Sequence, residues 1–207
     1  MHKKKGIFIT FEGCEGCGKT THSKKLADTL KKKGYRVLHT REPGGVRISE
    51  EIRKALLSTK NKGMDSLTEM LLYMAARVEI MKKKILPALA SGKIVICDRF
   101  MDATIAYQGY AGGIDVRLIK DIGKHVTQGI TPDVTFLLDL DASSGLRRST
   151  GKKDRMESKS LSYHKKVRKG YLAIARKEPK RVKVMSALGE IKNTQEKIRK
   201  IVLEHIH

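Results

Sequence analysis

The chain contains no tryptophan, and aromatic residues make up only 5% of it. No basic stretch is interleaved with stacking side chains, so a platform for single-stranded nucleic acid is not signalled. Cysteine is nearly absent: Cys14, Cys17 and Cys97 are the three present. An odd number at these positions makes no disulfide framework. Cys14 and Cys17 form a C-x-x-C pair, but a pair without two further ligands does not make a zinc site. Small residues tolerated in a loop and kept reduced are the plain reading, and redox sensitivity through a helix N-terminus that lowers thiol pKa is the rival one. There is no apolar run of the ~20 residues a transmembrane helix needs, no internal repeat and no long linker. No signal-peptide pattern fits the basic start Met1-His2-Lys3-Lys4-Lys5, so a cytoplasmic location with no membrane association is expected. Acidic residues are also few, 22 against 44 Lys and Arg, for a net charge of +22. That balance points to anionic partners, nucleotide phosphates or nucleic acid. Much of the excess lies in lysine runs such as Lys31–Lys33 and Lys82–Lys84, which are usually solvated helix faces.

What is present begins with Gly13-Cys14-Glu15-Gly16-Cys17-Gly18-Lys19-Thr20, a glycine, four residues, then Gly-Lys-Thr. This is the phosphate-binding loop pattern. Glycines let the backbone bend so that successive N–H groups face phosphate oxygens. Lys19 supplies a mobile positive charge, Thr20 a hydroxyl for Mg²⁺, and the following helix aims its positive end at the anion. Gly13, Cys14, Glu15, Gly16, Cys17, Gly18, Lys19, Thr20 and Thr21 are therefore the expected ATP-binding residues. The context fits: Ile7–Phe11 reads as a buried strand, and Leu26 and Leu30 as the inner face of a helix that stops at Gly34.

Further strands are expected at Arg36–Thr40, Ile94–Cys97, Val134–Leu140 and Arg181–Ser186. Leu71, Ala75, Val78, Ile85 and Leu89 follow helical spacing, with Pro87 expected to kink or end that helix. Asp115–Gly129, Tyr163–Arg176 and Asn193–His205 also read as helices. The alternation predicts a single α/β domain over 1–207, a P-loop NTPase three-layer sandwich with a five-stranded parallel sheet flanked by helices. Ligands should gather at the carboxyl ends of the strands. The polar stretch 143–160 reads as a mobile surface loop or lid. His22, His39, His125 and His164 show no metal spacing and are expected at the surface or at helix caps; Asp139 and Asp141 are expected to cap or bond backbone.

Arg41, Arg77 and Arg99 fall on three elements around the sheet's carboxyl edge, where guanidiniums suit phosphates and polar base edges. Asp98, just after a buried strand, is where a Mg²⁺-orienting carboxylate belongs, which makes Thr20 and Asp98 the metal candidates.

Six ordered motifs together resemble thymidylate kinases of the bacterial type: Phe-Glu-Gly-x-Glu-Gly-x-Gly-Lys-Thr-Thr at 11–21, Thr-Arg-Glu-Pro-Gly-Gly at 40–45, Ala-Ala-Arg at 75–77, Asp-Arg at 98–99, Ala-Tyr-Gln-Gly at 106–109 and Pro-Asp-Val-Thr-Phe-Leu-Leu-Asp at 132–139. The resemblance implies phosphorylation of dTMP to dTDP with the γ-phosphate of ATP, for dTTP synthesis, with Mg²⁺. It implies that Glu15 contacts the acceptor's 3′-hydroxyl, that Tyr73 stacks on thymine, and that Arg77 and Thr104 read the base edge. Tyr107 then crowds the 2′ position, Gln108 lies beside the base, Arg53 and Arg99 hold the acceptor phosphate, and Arg41 is a neighbouring candidate. It also implies a homodimer through helices. The phosphate loop has Gly16 and Cys17 where some relatives carry an arginine. Transition-state charge is therefore assigned to the lid, about 147–160, where Arg147, Arg148, Lys152, Lys153 and Arg155 lie, with Arg148 and Arg155 leading and Lys19 and Arg99 the other catalytic groups. Phe100, Ala103 and Val46–Ser49 depart from the family pattern. A guanylate- or cytidylate-type kinase, and a nucleic-acid-binding ATPase suggested by the charge, remain the rival readings; the acceptor arginines weigh against nucleic acid as partner.

Overall fold

The computed structural model describes residues 6–148 and 153–206. Five strands, β1 (Ile7–Glu12), β2 (Val37–Arg41), β3 (Ile94–Asp98), β4 (Val134–Asp139) and β5 (Val182–Ser186), form one parallel sheet in the order β2-β3-β1-β4-β5. The expected three-layer α/β architecture is present. β3 is buried along its length, as its continuous apolar run requires of a strand covered on both faces.

Side chains alternate across the sheet. Ile9, Phe11, Ile96, Phe136 and Leu138 face α1 (Lys19–Lys32) and α9 (Ile191–Ile206), which contribute Leu26, Leu30, Ile198 and Val202. Phe8, Val95 and Cys97 point the other way, onto Ile80, Ile85 and Phe100. Leu137 and Val182 pack with Val167 and Tyr171 of α8 (Leu161–Lys177). The register levels the working ends of three strands: Phe11 lies beside Asp98, and Asp98 beside Arg41. The residues that follow β1, β2 and β3 therefore emerge side by side on one edge.

Gly34 closes α1 as expected, at φ 86°, with Tyr35 N donating to Leu30 O. Around Pro87 the helix neither ends nor simply kinks. α3 (Ser66–Ile80) runs into a π-helical turn, Met81–Ile85, and resumes as α4 (Leu86–Ala90) with Pro87 in its first turn. Proline removes one N–H and crowds the carbonyl four residues back; a wider turn just before it relieves both. A second widened segment, Ile105–Ala111, continues α5 (Met101–Thr104) after β3. No periodicity announced it, because Ile105 to Gly109 are all buried. α2 (Arg47–Leu57) and α6 (Val116–Val126) lie alongside α3, and α7 (Ala142–Arg148) follows β4.

Asp141 caps α7 as expected, accepting from Ser143 N and Ser144 N. Asp139 does not cap: it takes a bidentate pair from Arg168, at 2.7 and 2.8 Å. The histidines also depart from expectation. His22 is buried, with Nδ1 2.8 Å from Gln195 Nε2, and His39 meets Ser23 Oγ at 3.0 Å. His164 is buried on the inner face of α8, and His125 alone of the four is exposed. A helix can place a lone histidine on its packed face when the pattern around it is apolar.

Candidate active site

The loop after β1 turns on glycines that need their freedom. Gly13, Gly16 and Gly18 have φ of 139°, 66° and 88°, values that L side chains rarely adopt. Gly18 starts α1 without a side-chain cap, so the first N–H groups of that helix are left for an anion. Lys19 bends back across the loop, its Nζ donating to Cys14 O at 2.8 Å. Thr20 Oγ1 donates to Asp98 Oδ2 at 2.5 Å, which joins the end of β3 to the start of α1. Helix α7 sits directly on this loop. A Cβ at Gly16 would run into the Gly145 carbonyl, and one at Gly145 into the Glu15 carbonyl.

Two cavities open at this edge. One is lined by Gly16, Gly18, Lys19, Thr20, Thr21 and Asp98, and by Arg41 at the end of β2. The other runs beneath α3 and the Ile105–Ala111 turn. It brings together Glu15, Arg53, Tyr73, Arg77, Arg99, Thr104, Tyr107 and Gln108, every residue the sequence placed around an acceptor nucleotide except Arg41. Arg41 instead lines the first cavity and pairs with Glu50 through both carboxylate oxygens at 2.9 Å. Glu15, Glu42, Arg53 and Arg99 line both cavities and so form the wall between them.

Arg99 organises that wall. Its φ is 69°, a left-handed conformation uncommon outside glycine. The turn is fixed from both sides, by Arg99 N donating to Phe11 O at 2.9 Å and by Phe100 N donating to Glu12 Oε1 at 2.7 Å. The guanidinium then reaches Glu15 Oε1 at 2.7 Å and the Gly13 carbonyl, Tyr107 and Tyr171 hydroxyls at 3.1 Å each. Tyr107 OH also donates to Glu15, at 2.8 Å.

Two carboxyls on this network are shifted in opposite directions. Burial works against charge at Glu15, but Arg99 and Lys19 outweigh it and hold the group at about 2. Glu12 is pushed up to about 8 by burial and by the charge of Asp102, against the pull of Arg99. Beside them, burial and the neighbouring Arg41 lower Arg53, so two cations lie close together on the first cavity.

The far end of the second cavity is set by buried pairs. Arg77 Nε donates to Glu42 at 2.6 Å, and its Nη2 to Phe100 O and Thr104 Oγ1 at 3.1 Å. Among the described residues its Nη1 faces only the thioethers of Met74 and Met101, weak acceptors that leave donor capacity for a ligand. Gln108 is held by Glu69, Nε2 to Oε1 at 2.7 Å.

The lid arginines are not brought to the wall. Arg148 is exposed and donates to Ala187 O at 3.0 Å. Arg155 is buried, bonded to Glu69 at 2.5 Å and to Leu56 O at 2.6 Å. A guanidinium so committed cannot reach a phosphate without leaving a buried carboxylate unpaired, so its place is behind Gln108 at the far end of the second cavity. Lys152, with the rest of 149–152, lies outside the described residues, as does the basic start 1–5. The redox reading of the loop cysteines also loses its basis at Cys14: burial pushes that thiol up to about 12, away from the reactive thiolate.

Sequence reasoning passed over Glu12, Glu42, Glu69 and Tyr171. Signals existed for three of them: Glu12 stood within the run at 11–21, and Glu69, Tyr73 and Arg77 are four residues apart and share a face of α3. Glu42 stood within the Thr-Arg-Glu-Pro-Gly-Gly run, and its Oε1 is buried without a partner.

A family model described as thymidylate kinase matches residues 11–198 of the chain. A thymidylate kinase of Symbiobacterium thermophilum is 45% identical over 199 residues, covering 96% of this chain and 93% of that one. One from a Geobacillus strain is 48% identical over 187 residues, 88% of this chain and 89% of its own. The crystal structure of thymidylate kinase from Ehrlichia chaffeensis superposes with a TM-score of 0.80 at 39% identity, covering 96% of this chain and 99% of that one.

Proposed function

The chain belongs to the thymidylate kinase family, and on that premise we propose how its two cavities divide the reaction between them. The protein is a nucleoside monophosphate kinase that transfers the γ-phosphoryl group of ATP to dTMP, giving dTDP and ADP, in dTTP synthesis. ATP takes the cavity of the phosphate loop, Gly13 to Thr21. The acceptor takes the other, with thymine between Tyr73, Arg77, Thr104 and Gln108. Its sugar lies against Glu15 and Tyr107, and its phosphate against Arg53 and Arg99. The observation that carries this reading is the common wall: two nucleotides that approach from opposite sides meet end to end at Arg53 and Arg99.

The attacking oxygen belongs to a phosphate already anionic near neutral pH, so no general base is required. The chain's task is alignment and charge neutralisation. Lys19 crosses from loop to phosphates; Arg99, fixed by Glu12, Glu15 and Tyr171, spans the junction. Arg148, at the end of α7 with its Cβ close to Gly16, is the lid arginine assigned to the phosphates, on release from Ala187. Arg155 supports the base end and is not assigned to the reacting phosphates.

Mg²⁺ fits the residues present. Thr20 and Asp98 offer a hydroxyl and a carboxylate within 2.5 Å of each other on the cavity wall. No cluster of three or more acidic, His or Cys ligands occurs among the described residues, which suits an ion that relies on substrate phosphates and water for its remaining ligands. Bound there, it would neutralise phosphate charge. The exposed side chains Ile48 on α2, Leu67 and Leu71 on α3 and Leu118 on α6 support a homodimer through these helices. No described helix is long and apolar enough to cross a membrane, and the proposed location is the cytoplasm.

Coupled ADP release with dTMP, dUMP, dGMP, dCMP and AMP side by side tests the assignment of the acceptor cavity. Turnover should be greatest with dTMP. dUMP, which lacks one methyl, should follow within about 10–200-fold. Equal efficiency with dCMP or AMP would overturn it.

A further inference from the structure

Glu69 lies buried beneath the base end of the acceptor cavity, and its two oxygens are divided between partners. Oε2 accepts from Arg155 Nη1 at 2.5 Å and from Lys159 Nζ at 3.2 Å. Oε1 accepts from Gln108 Nε2 at 2.7 Å and, at the longer distance of 3.4 Å, from Lys159 Nζ. A carboxylate held between two cations presents acceptors only. The amide nitrogen of Gln108 must therefore face Glu69. Its carbonyl oxygen is the atom left to the cavity that Gln108 lines, and among the described residues no donor reaches it. Turning the amide over would set a carbonyl against a buried carboxylate, leaving the amide oxygen without a donor and Oε1 with only the long contact from Lys159.

The cavity thus offers a donor at Arg77, whose Nη1 meets only thioethers, and a fixed acceptor at Gln108. Thr104, bonded to Arg77 and one helical turn before Gln108, lies between them. Thymine carries the complementary pair on adjacent atoms, O4 as acceptor and N3–H as donor. Cytosine carries the reverse, an amino donor at C4 and a bare N3.

We infer that Glu69 is a positioning residue for base choice: by pinning the Gln108 amide with its oxygen toward the cavity, it admits pyrimidines that have a proton on N3 and rejects cytosine. This rests on the placement of dTMP proposed above and adds the atom-level cause of its selectivity. Glu69 touches no substrate and acts through Gln108.

The decisive variant is Glu69→Gln. Arg155 has only donors, so it claims the new amide's oxygen, and the new NH₂ faces Gln108. Gln108 then turns its oxygen inward and offers NH₂ to the cavity. The ratio of kcat/KM for dTMP over dCMP should fall by about 100-fold, with dUMP falling alongside dTMP because the two share the imide edge. Arg155→Met keeps the Glu69 carboxylate. It should lower the melting temperature and leave the dTMP:dCMP ratio as in the wild type. A folded Glu69→Gln protein with the wild-type ratio would overturn the inference, as would an equal change in Arg155→Met. A wild-type protein that does not favour dTMP over dCMP would instead sink the placement beneath it.

A second measurement needs no substitution at Glu69. The Gln108 side-chain amide protons, assigned by ¹⁵N NMR through their loss in Gln108→Ala, should be protected from exchange before and after dTMP is added. Protons that exchange freely until dTMP arrives, and only then are protected, would show that the amide nitrogen faces the ligand and that Glu69 does not hold it.

Discussion

On the phosphate-loop side of the Arg53–Arg99 wall, proposed for ATP, most of the surface comes from one short run, Gly13–Thr21, and much of what it offers is main chain. On the other side, proposed for dTMP, the surface comes from side chains on α2, α3, the turn after β3 and the segment before α8, and two of them, Arg77 and Gln108, are already bonded to buried carboxylates. Main-chain amides at a helix start recognise any phosphate and need only a backbone able to bend. A base edge needs each donor and acceptor fixed, and fixing them takes counter-charges placed behind the cavity. The phosphate side is therefore general and local. The base side is specific and assembled from distant parts of the chain.

The substitution that should cut across this division is Arg99→Ala, because it removes the wall itself. Breaking its pair with the largely buried Glu15 should cost about 3 kcal/mol of stability, seen in denaturant titration. Turnover should fall by on the order of 10³ or more, with KM raised for both nucleotides. Lys19→Ala should be one-sided: kcat falls by about 10²–10³, while the dissociation constant for dTMP, read by calorimetry, holds. If Lys19→Ala weakened dTMP as much as ATP, the two cavities would not be separable. A backbone change sharpens the point. Gly16→Ala forces a left-handed alanine, worth about 1–2 kcal/mol, and pushes against Gly145. ATP affinity should drop by about 10-fold, again with dTMP binding kept.

The next effect is smaller and concerns pH. Glu15 sits at about 2 in the fold against an ordinary 4.5, so its stabilisation is complete above 4.5 and lost as pH falls from there toward 2. Glu12 has the opposite sign: at about 8 in the fold, its contribution is complete below 4.5 and lost as pH rises toward 8. Melting temperature against pH should therefore show a flatter acid limb in Glu15→Gln and a flatter alkaline limb in Glu12→Gln. A Glu12→Gln protein with the wild-type alkaline slope would refute the assignment. Smallest of all should be the effect of thiol chemistry on the phosphate loop. With its thiol pushed up to about 12, Cys14 should resist iodoacetamide at pH 8, and ATP binding should survive mild oxidant unchanged.

The same division governed what could be read from the sequence. Strands such as Ile94–Asp98 and the loop 13–20 are written in neighbouring residues, and their positions held to within a residue or two. The residues proposed for the acceptor, Tyr73, Arg77, Thr104, Tyr107 and Gln108, were reached through motif resemblance, because no local period links α3 to the turn after β3. Two kinds of feature stayed hidden. The widened turn at 105–111 leaves no trace where Ile105 to Gly109 are all buried, and the one at 81–85 carries Lys82–Lys84 outward as an ordinary helix face would. The Glu69–Arg155 pair joins side chains separated by 86 positions, so Arg155 looked like one more lid cation until the fold put a carboxylate against it.

The seating of α7 on the phosphate loop carries a consequence for protein engineering. Gly16 and Gly145 meet backbone to backbone, with no side chain between them to take up a change in shape. A lid grafted from a homologue that has even alanine at the position of Gly145 would pry the loop open from behind. The loop and the root of the lid form one cassette, and chimeras should exchange 13–20 and 142–148 together or leave both in place.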